Sequence, residues 1–294
     1  MRNLKLSILR LSRLNLLFLA AGLVISAPAM AQDKGEIVQD QDIPGYRTGE
    51  KDPTSISGFV AAGVVVTPEF PGSDDSEVTP ALLGKVNYGE YYYAQILGPQ
   101  LEVNLFPSKS FNIGPVIGYD GGRDDVDNDT VDRLDDVDES LEIGAFASYA
   151  FADVLQTRDE LEFSVTATQD IADGHDGFVA DFDIDYSFPV NLYGRWRWGL
   201  GVGTTYVSES YSDSYFSVSA AEQVATGLNQ FDAGAGFNNV SASISANYLL
   251  TDRWGIYALG GVSRLLDDAA DSPIVEQEGD DTNFIAGAAI SYRF

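Results

Sequence analysis

The 294-residue chain has no cysteine, a single histidine, and only 17 basic residues against 45 acidic ones. Without cysteine there is neither a disulfide framework nor a thiolate metal site. The shortage of lysine and arginine excludes a nucleic-acid surface, because phosphate binding depends on clustered positive charge. After residue 31 there is also no apolar run long enough to cross a bilayer as a helix; every such run is broken by Gly, Ser, Asp or Thr. A chain of this kind can occupy a membrane only as a closed barrel, since lipid offers no other partner to backbone amides. High net charge alone accompanies disorder. Here 12% aromatic and 45% hydrophobic residues argue for a folded chain.

Residues 1–31 read as an export signal. Arg2, Lys5, Arg10 and Arg13 form a basic start, Leu14 to Ile25 an apolar stretch interrupted only by Asn15, and Ala29-Met30-Ala31 a cleavage site. The mature chain is expected to begin near Gln32. The leader carries four basic residues and no acidic ones, so 13 basic residues then face 45 acidic ones, a net charge of −32. Residues 32–54 are polar, with Gly35, Pro44, Gly45, Gly49 and Pro53, and read as a flexible periplasmic segment.

From Ser55 to Phe294 the pattern changes to short alternating segments, the signature of an all-β, antiparallel up-and-down transmembrane barrel. The last is the clearest. Phe284, Ala286, Ala288, Ile290, Tyr292 and Phe294 alternate with Ile285, Gly287, Ala289, Ser291 and Arg293. One face is apolar and ends in two aromatics; the other is mostly small or polar. Eleven such segments are clear. Tyr91 to Leu97, followed by a tight turn at Gly98-Pro99, makes a twelfth although it is short for a spanning strand. Twelve is the expected number, within a range of ten to fourteen.

Connections alternate between short and long, and the long ones are acidic: 122–140, 210–236 and 267–282. Short turns belong in the periplasm and long loops outside. Trp196, Trp198 and Trp254, with Phe106, Phe111, Phe151, Phe188 and Tyr193, fall beside the short turns, where an interfacial girdle is expected. Loop length and aromatic placement therefore assign the same side.

Several local motifs recur in order. They are Gly63-Val64-Val65-Val66-Thr67-Pro68-Glu69-Phe70-Pro71-Gly72-Ser73; Gly121-Gly122-Arg123 before Arg133-Leu134; Gly174-His175-Asp176-Gly177; Tyr215-Phe216-Ser217-Val218 with Ser219 to Gly227; Leu250-Thr251-Asp252-Arg253-Trp254; and Asp268 to Val275, which includes Asp271-Ser272-Pro273, before the closing Tyr292-Arg293-Phe294. With these motifs the chain resembles the MipA/OmpV family of outer-membrane proteins, the MltA-interacting proteins, over nearly all of the mature barrel. The resemblance implies a β-barrel in the Gram-negative outer membrane. One member type is a scaffold for a murein lytic transglycosylase and a murein polymerase; others are adhesins or permeability proteins. Tyr292 and Phe294 resemble the signal read by the barrel-assembly machinery.

Candidate chemistry is sparse. His175 with Asp170, Asp173 and Asp176 invites a hydrolase, with Ser164, Ser187 or Ser208 as nucleophile, but no motif or spacing supports a triad. A loop tip shaped by Gly174 and Gly177 is the favoured reading. Asp125, Asp127, Asp129 and Asp136 match part of a calcium-loop spacing, yet position six is Thr130 and position twelve is not Glu. A solvated charged loop is favoured, with loose divalent-ion bridging to lipopolysaccharide as the alternative. Asp271 to Val275 puts an apolar pair in an external loop, where it either plugs the lumen or packs on other loops. Arg123, Arg133 and Arg264 are expected to pair with loop carboxylates. Arg197, Arg253 and Arg293 are expected to face the lumen, which at this strand number is narrow. No cofactor is expected. The functional expectation is a non-enzymatic scaffold; the alternatives are a small cation or solute channel, and an adhesin acting through the acidic loops.

Overall fold

The computed structural model describes residues 55–190 and 195–294. The expected signal peptide, the 32–54 segment and Tyr193 lie outside the described residues. Twelve antiparallel strands close into a barrel. They are β1 (Ile56–Pro68), β2 (Ser76–Tyr88), β3 (Tyr92–Leu97), β4 (Gln100–Asn104), β5 (Phe111–Asp120), β6 (Ser140–Ala152), β7 (Glu160–Asp170), β8 (Phe178–Pro189), β9 (Trp196–Val207), β10 (Gly236–Leu249), β11 (Trp254–Leu265) and β12 (Thr282–Arg293). Each strand pairs with its sequence neighbours, and β12 returns to β1 with Val60 opposite Tyr292 and Val66 opposite Ala286. Closure leaves no end strand, the condition for a sheet in hydrocarbon. No described helix is long and apolar enough to cross a membrane.

Alternation builds the two faces. On β12, Phe284 and Ile290 are 69% and 61% exposed, while Asn283, Ala289 and Ser291 on the alternate positions are buried on the inner side. The same outward series includes Val64, Val78, Leu82, Ile113, Ile143, Phe163, Ile184, Val202, Ile244 and Ile256, all exposed to the position of lipid. Exposed apolar side chains on every strand would be an aggregation surface in water; around a barrel they are the membrane face. At the periplasmic end, Trp196 packs against Trp198 and Tyr248, and Trp254 against Tyr292. Phe106 and Phe111 meet edge to face. This is the expected girdle.

The lumen is divided by composition. Glu102, Glu142, Glu160, Glu162, Asp181 and Asp183, carried by β4 and β6 to β8, are buried along one wall. The wall that continues from β8 carries Gly199, Gly201 and Gly203 of β9, with Gly203 beside Asp183, then Ser241 of β10, Ser263 of β11 and Ser291 of β12. Lys85 of β2 lies over the Tyr93 ring, 3.8 Å from its centroid.

Candidate functional site

The long external loops are not loose. They carry a 3-10 turn, Val131–Arg133, and four short helices: α1 (Glu209–Phe216), α2 (Ala220–Thr226), α3 (Asp267–Asp271) and α4 (Pro273–Glu278). Two apolar clusters form among them. One joins Val137, Val207, Tyr211, Tyr215, Phe216, Ala233, Leu265, Ala269 and Val275. The other joins Phe70, Val131, Leu134, Val218, Leu228 and Ile274. Val137 precedes β6 and Leu265 ends β11, on opposite sides of the ring. The first cluster therefore spans the external mouth, and the loops form a packed cap. Each fully buried large side chain contributes about 1.5–3 kcal/mol to holding it shut.

Polar contacts fix the cap to the wall. Arg123, expected to pair with carboxylates, is instead buried and donates from Nη1 to the Tyr215 carbonyl at 2.8 Å and from Nη2 to the Asp135 carbonyl at 3.1 Å. A buried guanidinium needs such acceptors to offset desolvation. Its backbone pairs with Val137 in an isolated bridge. The Tyr215 hydroxyl donates to Asp120 Oδ1 at 2.8 Å, and the Gly122 N–H donates to the same oxygen, also at 2.8 Å. Burial, and then the Asp120 charge, hold the Tyr215 hydroxyl well above its ordinary pKa, so it stays a donor. Gly122 has φ +72°, and a Cβ there would meet the Val137 carbonyl oxygen. Ser272 Oγ donates to the Phe216 carbonyl at 2.6 Å and accepts from the Ile274 N–H at the start of α4, whose first residue is Pro273. Asp271 ends α3. Gly72 donates its N–H to Asn283 Oδ1 at 2.8 Å, while Asn283 Nδ2 donates to the Ser73 carbonyl at 2.8 Å.

His175 lies in the turn between β7 and β8, as expected, but it is 1% exposed and the glycines do not supply the turn geometry. It is folded inward because Asp170, at the end of β7, accepts the backbone N–H groups of Ala172, Gly174, His175 and Asp176 at 2.8–2.9 Å. The positive-φ residues of this turn are Asp173 and Asp176, not the glycines. Gly174 is needed for space, since a Cβ would come 2.6 Å from Ser140 Cβ. The ring stacks edge-on to Tyr211 at 4.9 Å between centroids. Its Nδ1 accepts the Gly177 N–H at 3.0 Å, and its Nε2 lies 3.4 Å from Glu142 Oε1. Neither ring nitrogen hydrogen-bonds to a serine. Ser208 Oγ accepts the Phe178 N–H, and Ser187 Oγ accepts from Arg197. His175 thus ties α1 to the wall.

The acidic loop is also less solvated than expected: Val131, Leu134 and Val137 are buried within it. Asp125 adopts φ +52° and the Asp127 N–H donates to Glu69. Asp129 and Asp136 lie on the same loop. Among the described residues, no three His, Asp or Glu side chains are grouped so that they could hold a metal ion. Arg264 pairs with Asp281 at 3.0 Å, as expected. Arg133 reaches only Thr130. Arg197 faces the lumen, bound to the Ser187 hydroxyl and the Arg158 carbonyl. Arg293 is on the lumen series of β12. Arg253 is corrected: it is exposed in the turn before β11, 3.5 Å from the Tyr292 hydroxyl. Tyr292 and Phe294 lie on the outward face, and the Phe294 backbone exchanges two 3.0 Å hydrogen bonds with Gly58. On the cap's outer surface Asp135, Asp136, Asp213, Glu222 and Asp232 line an open cleft of about 620 Å³.

Sequence reasoning missed Asp120, Tyr211 and Asn283, whose roles arise only from contacts across loops. The family motifs had marked their partners, and Gly72, Gly122, Arg123, Gly174, His175, Ser272 and Pro273 all converge on the cap.

Residues 60–294 match the family model described as MltA-interacting protein MipA. YiaT of Escherichia coli strain K12, named for the outer membrane, is 26% identical over 129 residues, 44% of this chain and 50% of that protein. The MltA-interacting protein of the same strain is 29% identical over 94 residues, 32% of this chain and 36% of that protein. The matches thus span half or less of the length of these curated relatives. An outer membrane channel from Pseudomonas putida F1 aligns over 88% of this chain and all of that one, at 11% identity and a TM-score of 0.40.

Proposed function

This chain belongs to the MltA-interacting protein MipA family of outer-membrane proteins, and from that premise we propose that it is a non-enzymatic scaffold that tethers murein-remodelling enzymes beneath the outer membrane. The observation that carries the reading is the cap. With Phe70, Tyr215, Phe216, Ile274 and Val275 packed across the external mouth, the barrel is built as a closed anchor. Its periplasmic turns, with any periplasmic segment before β1, are then the surfaces left to meet a partner. A relative named for its interaction with MltA points to a murein lytic transglycosylase as that partner; a murein polymerase is the second candidate. Among the described residues, no convergent nucleophile, base and oxyanion site supports catalysis.

The test is a pull-down from detergent extract with the tagged mature barrel as bait. Recovery of a murein hydrolase and a murein polymerase is expected. Recovery of neither, under conditions that preserve other envelope complexes, overturns the reading. The acidic wall of the lumen favours a second reading, a cation-selective conduit opened when the cap moves. Planar-bilayer recordings of a cap-loosened variant that show no conductance would remove it.

A further inference from the structure

The barrel wall is incomplete at one place. β1 pairs with β2 along its whole length, from Ser76 to Tyr88. β3 pairs with β2 only from Leu83 to Tyr88. The β3–β4 hairpin turns over at Gly98-Pro99, with the Gly98 N–H on the Leu82 carbonyl at 3.2 Å. On the other side, β4 meets β5 only up to Ile117, whereas β6 follows β5 to Asp120. Above the hairpin two strands are missing from the ring. At ordinary strand spacing that leaves about 14 Å between the β2 and β5 backbones.

The sequence blunts the β2 edge. The Leu82 carbonyl turns toward β3, so Pro80 and Val78 turn the same way. Pro80 has no N–H to leave open there. The Ile113 carbonyl accepts the Leu105 N–H, so Pro115 and Tyr119 also turn toward β4. Proline is a usual device for an unpaired edge, and Pro80 supplies it on β2; Pro115 lies below Ile117, where β5 still faces β4. Outside the gap, Val78, Leu82 and Ile117 are lipid-facing and 67%, 52% and 48% exposed. The gap therefore opens at the height of the external leaflet, where an open edge is tolerated only if it lines a polar opening.

Behind it the lumen is acidic. Glu77 is on the inner face of β2, and its Oε1 is buried without a hydrogen-bond partner. Gly118 is on the inner face of β5; a Cβ there would lie 2.9 Å from Glu142 Oε2, which accepts the Thr168 hydroxyl at 3.3 Å, so the glycine makes room for that carboxylate beside the β5 edge. Asp120 ends the same edge. Directly above, the cap seals the mouth.

We propose that the β2–β5 gap is a lateral port that admits a cationic amphiphile, an alkyl chain bearing an amine, from the external leaflet. The ammonium enters to Glu77 and Glu142 while the chain stays against Val78, Leu82 and Ile117. Anionic amphiphiles are excluded by the same carboxylates.

The probe is a dansylated alkylamine, titrated into the folded barrel in non-ionic micelles, with dodecylamine, dodecanol and dodecanoate as competitors. Saturable binding displaced by dodecylamine alone is expected, weakening about tenfold in Glu77→Gln and further in Glu77→Gln with Glu142→Gln. Heat-modifiable gel mobility checks that each variant is folded. A photoreactive alkylamine should label the 76–82 and 117–120 strand segments and spare the outer face of β8. Equal displacement by dodecanol, which marks mere acyl filling, overturns the proposal. So do unchanged binding in a folded Glu77→Gln variant and labelling spread evenly around the barrel.

Discussion

Asp159 shows how much one carboxylate can organise. In the periplasmic turn after β6 it accepts the N–H groups of Val154, Leu155 and Gln156 and the Tyr186 hydroxyl, at 2.6–2.9 Å. Burial acts to raise its pKa, but the Tyr186 hydroxyl and those three N–H groups outweigh burial and hold it below the ordinary value. A depressed pKa contributes stability above the unfolded value and loses it as pH falls through the folded one. Asp159→Asn should therefore lower stability to urea by about 1–3 kcal/mol at neutral pH. The difference from the wild type should vanish below the ordinary carboxylate range. A second residue-scale prediction concerns Gly72, at φ +93°, where a Cβ would lie 2.6 Å from Val275 Cγ2. Gly72→Ala should cost about 1–3 kcal/mol in cap stability, read as faster limited proteolysis of the external loops. At this scale the sequence was only half legible. Arg123, His175 and Gly72 were marked by motif, but their burial depends on Tyr215, Tyr211 and Val275, far away in the chain. Local composition there reads as polar loop.

At the scale of elements, the Tyr91–Leu97 segment and the closing segment from Phe284 to Phe294 coincide with β3 and β12 to within about two residues, because lipid on one side and a polar lumen on the other make the period explicit. The short helices of the external loops were not foreseen. Two of their starts nevertheless carry ordinary signals: Ser219 and Glu222 form a capping box on α2, and Ser272-Pro273 opens α4. Such helices are too short to stand alone and are held by packing. Phe216, 0% exposed, and Ile274, 1% exposed, carry much of that packing. Phe216→Ala or Ile274→Ala should cost the cap about 2–5 kcal/mol and leave the barrel folded. The expected signature is faster amide exchange and proteolysis confined to 121–139, 208–235 and 266–281, with unchanged heat-modifiable mobility on gels.

For the whole molecule, stability rests on a closed ladder with its apolar side turned to lipid. Ala288 sits midway along β12 on that side, opposite Val64 of β1 and Ala258 of β11. Ala288→Arg should destabilise the folded barrel in bilayers by about 2–4 kcal/mol, measured by chemical unfolding from liposomes. The acidic lumen was foreseen only as net charge. Its concentration on β4 and β6 to β8, with the serine and glycine wall beginning at the adjoining β9, follows from strand order and register, which single segments do not encode.

The pairing of β1 with β12 has a further consequence for biogenesis. The ring has a single seam, and both of its lips come from opposite ends of the described chain. A polypeptide broken off just before β12 would leave the facing edges of β1 and β11 without their hydrogen-bond partners.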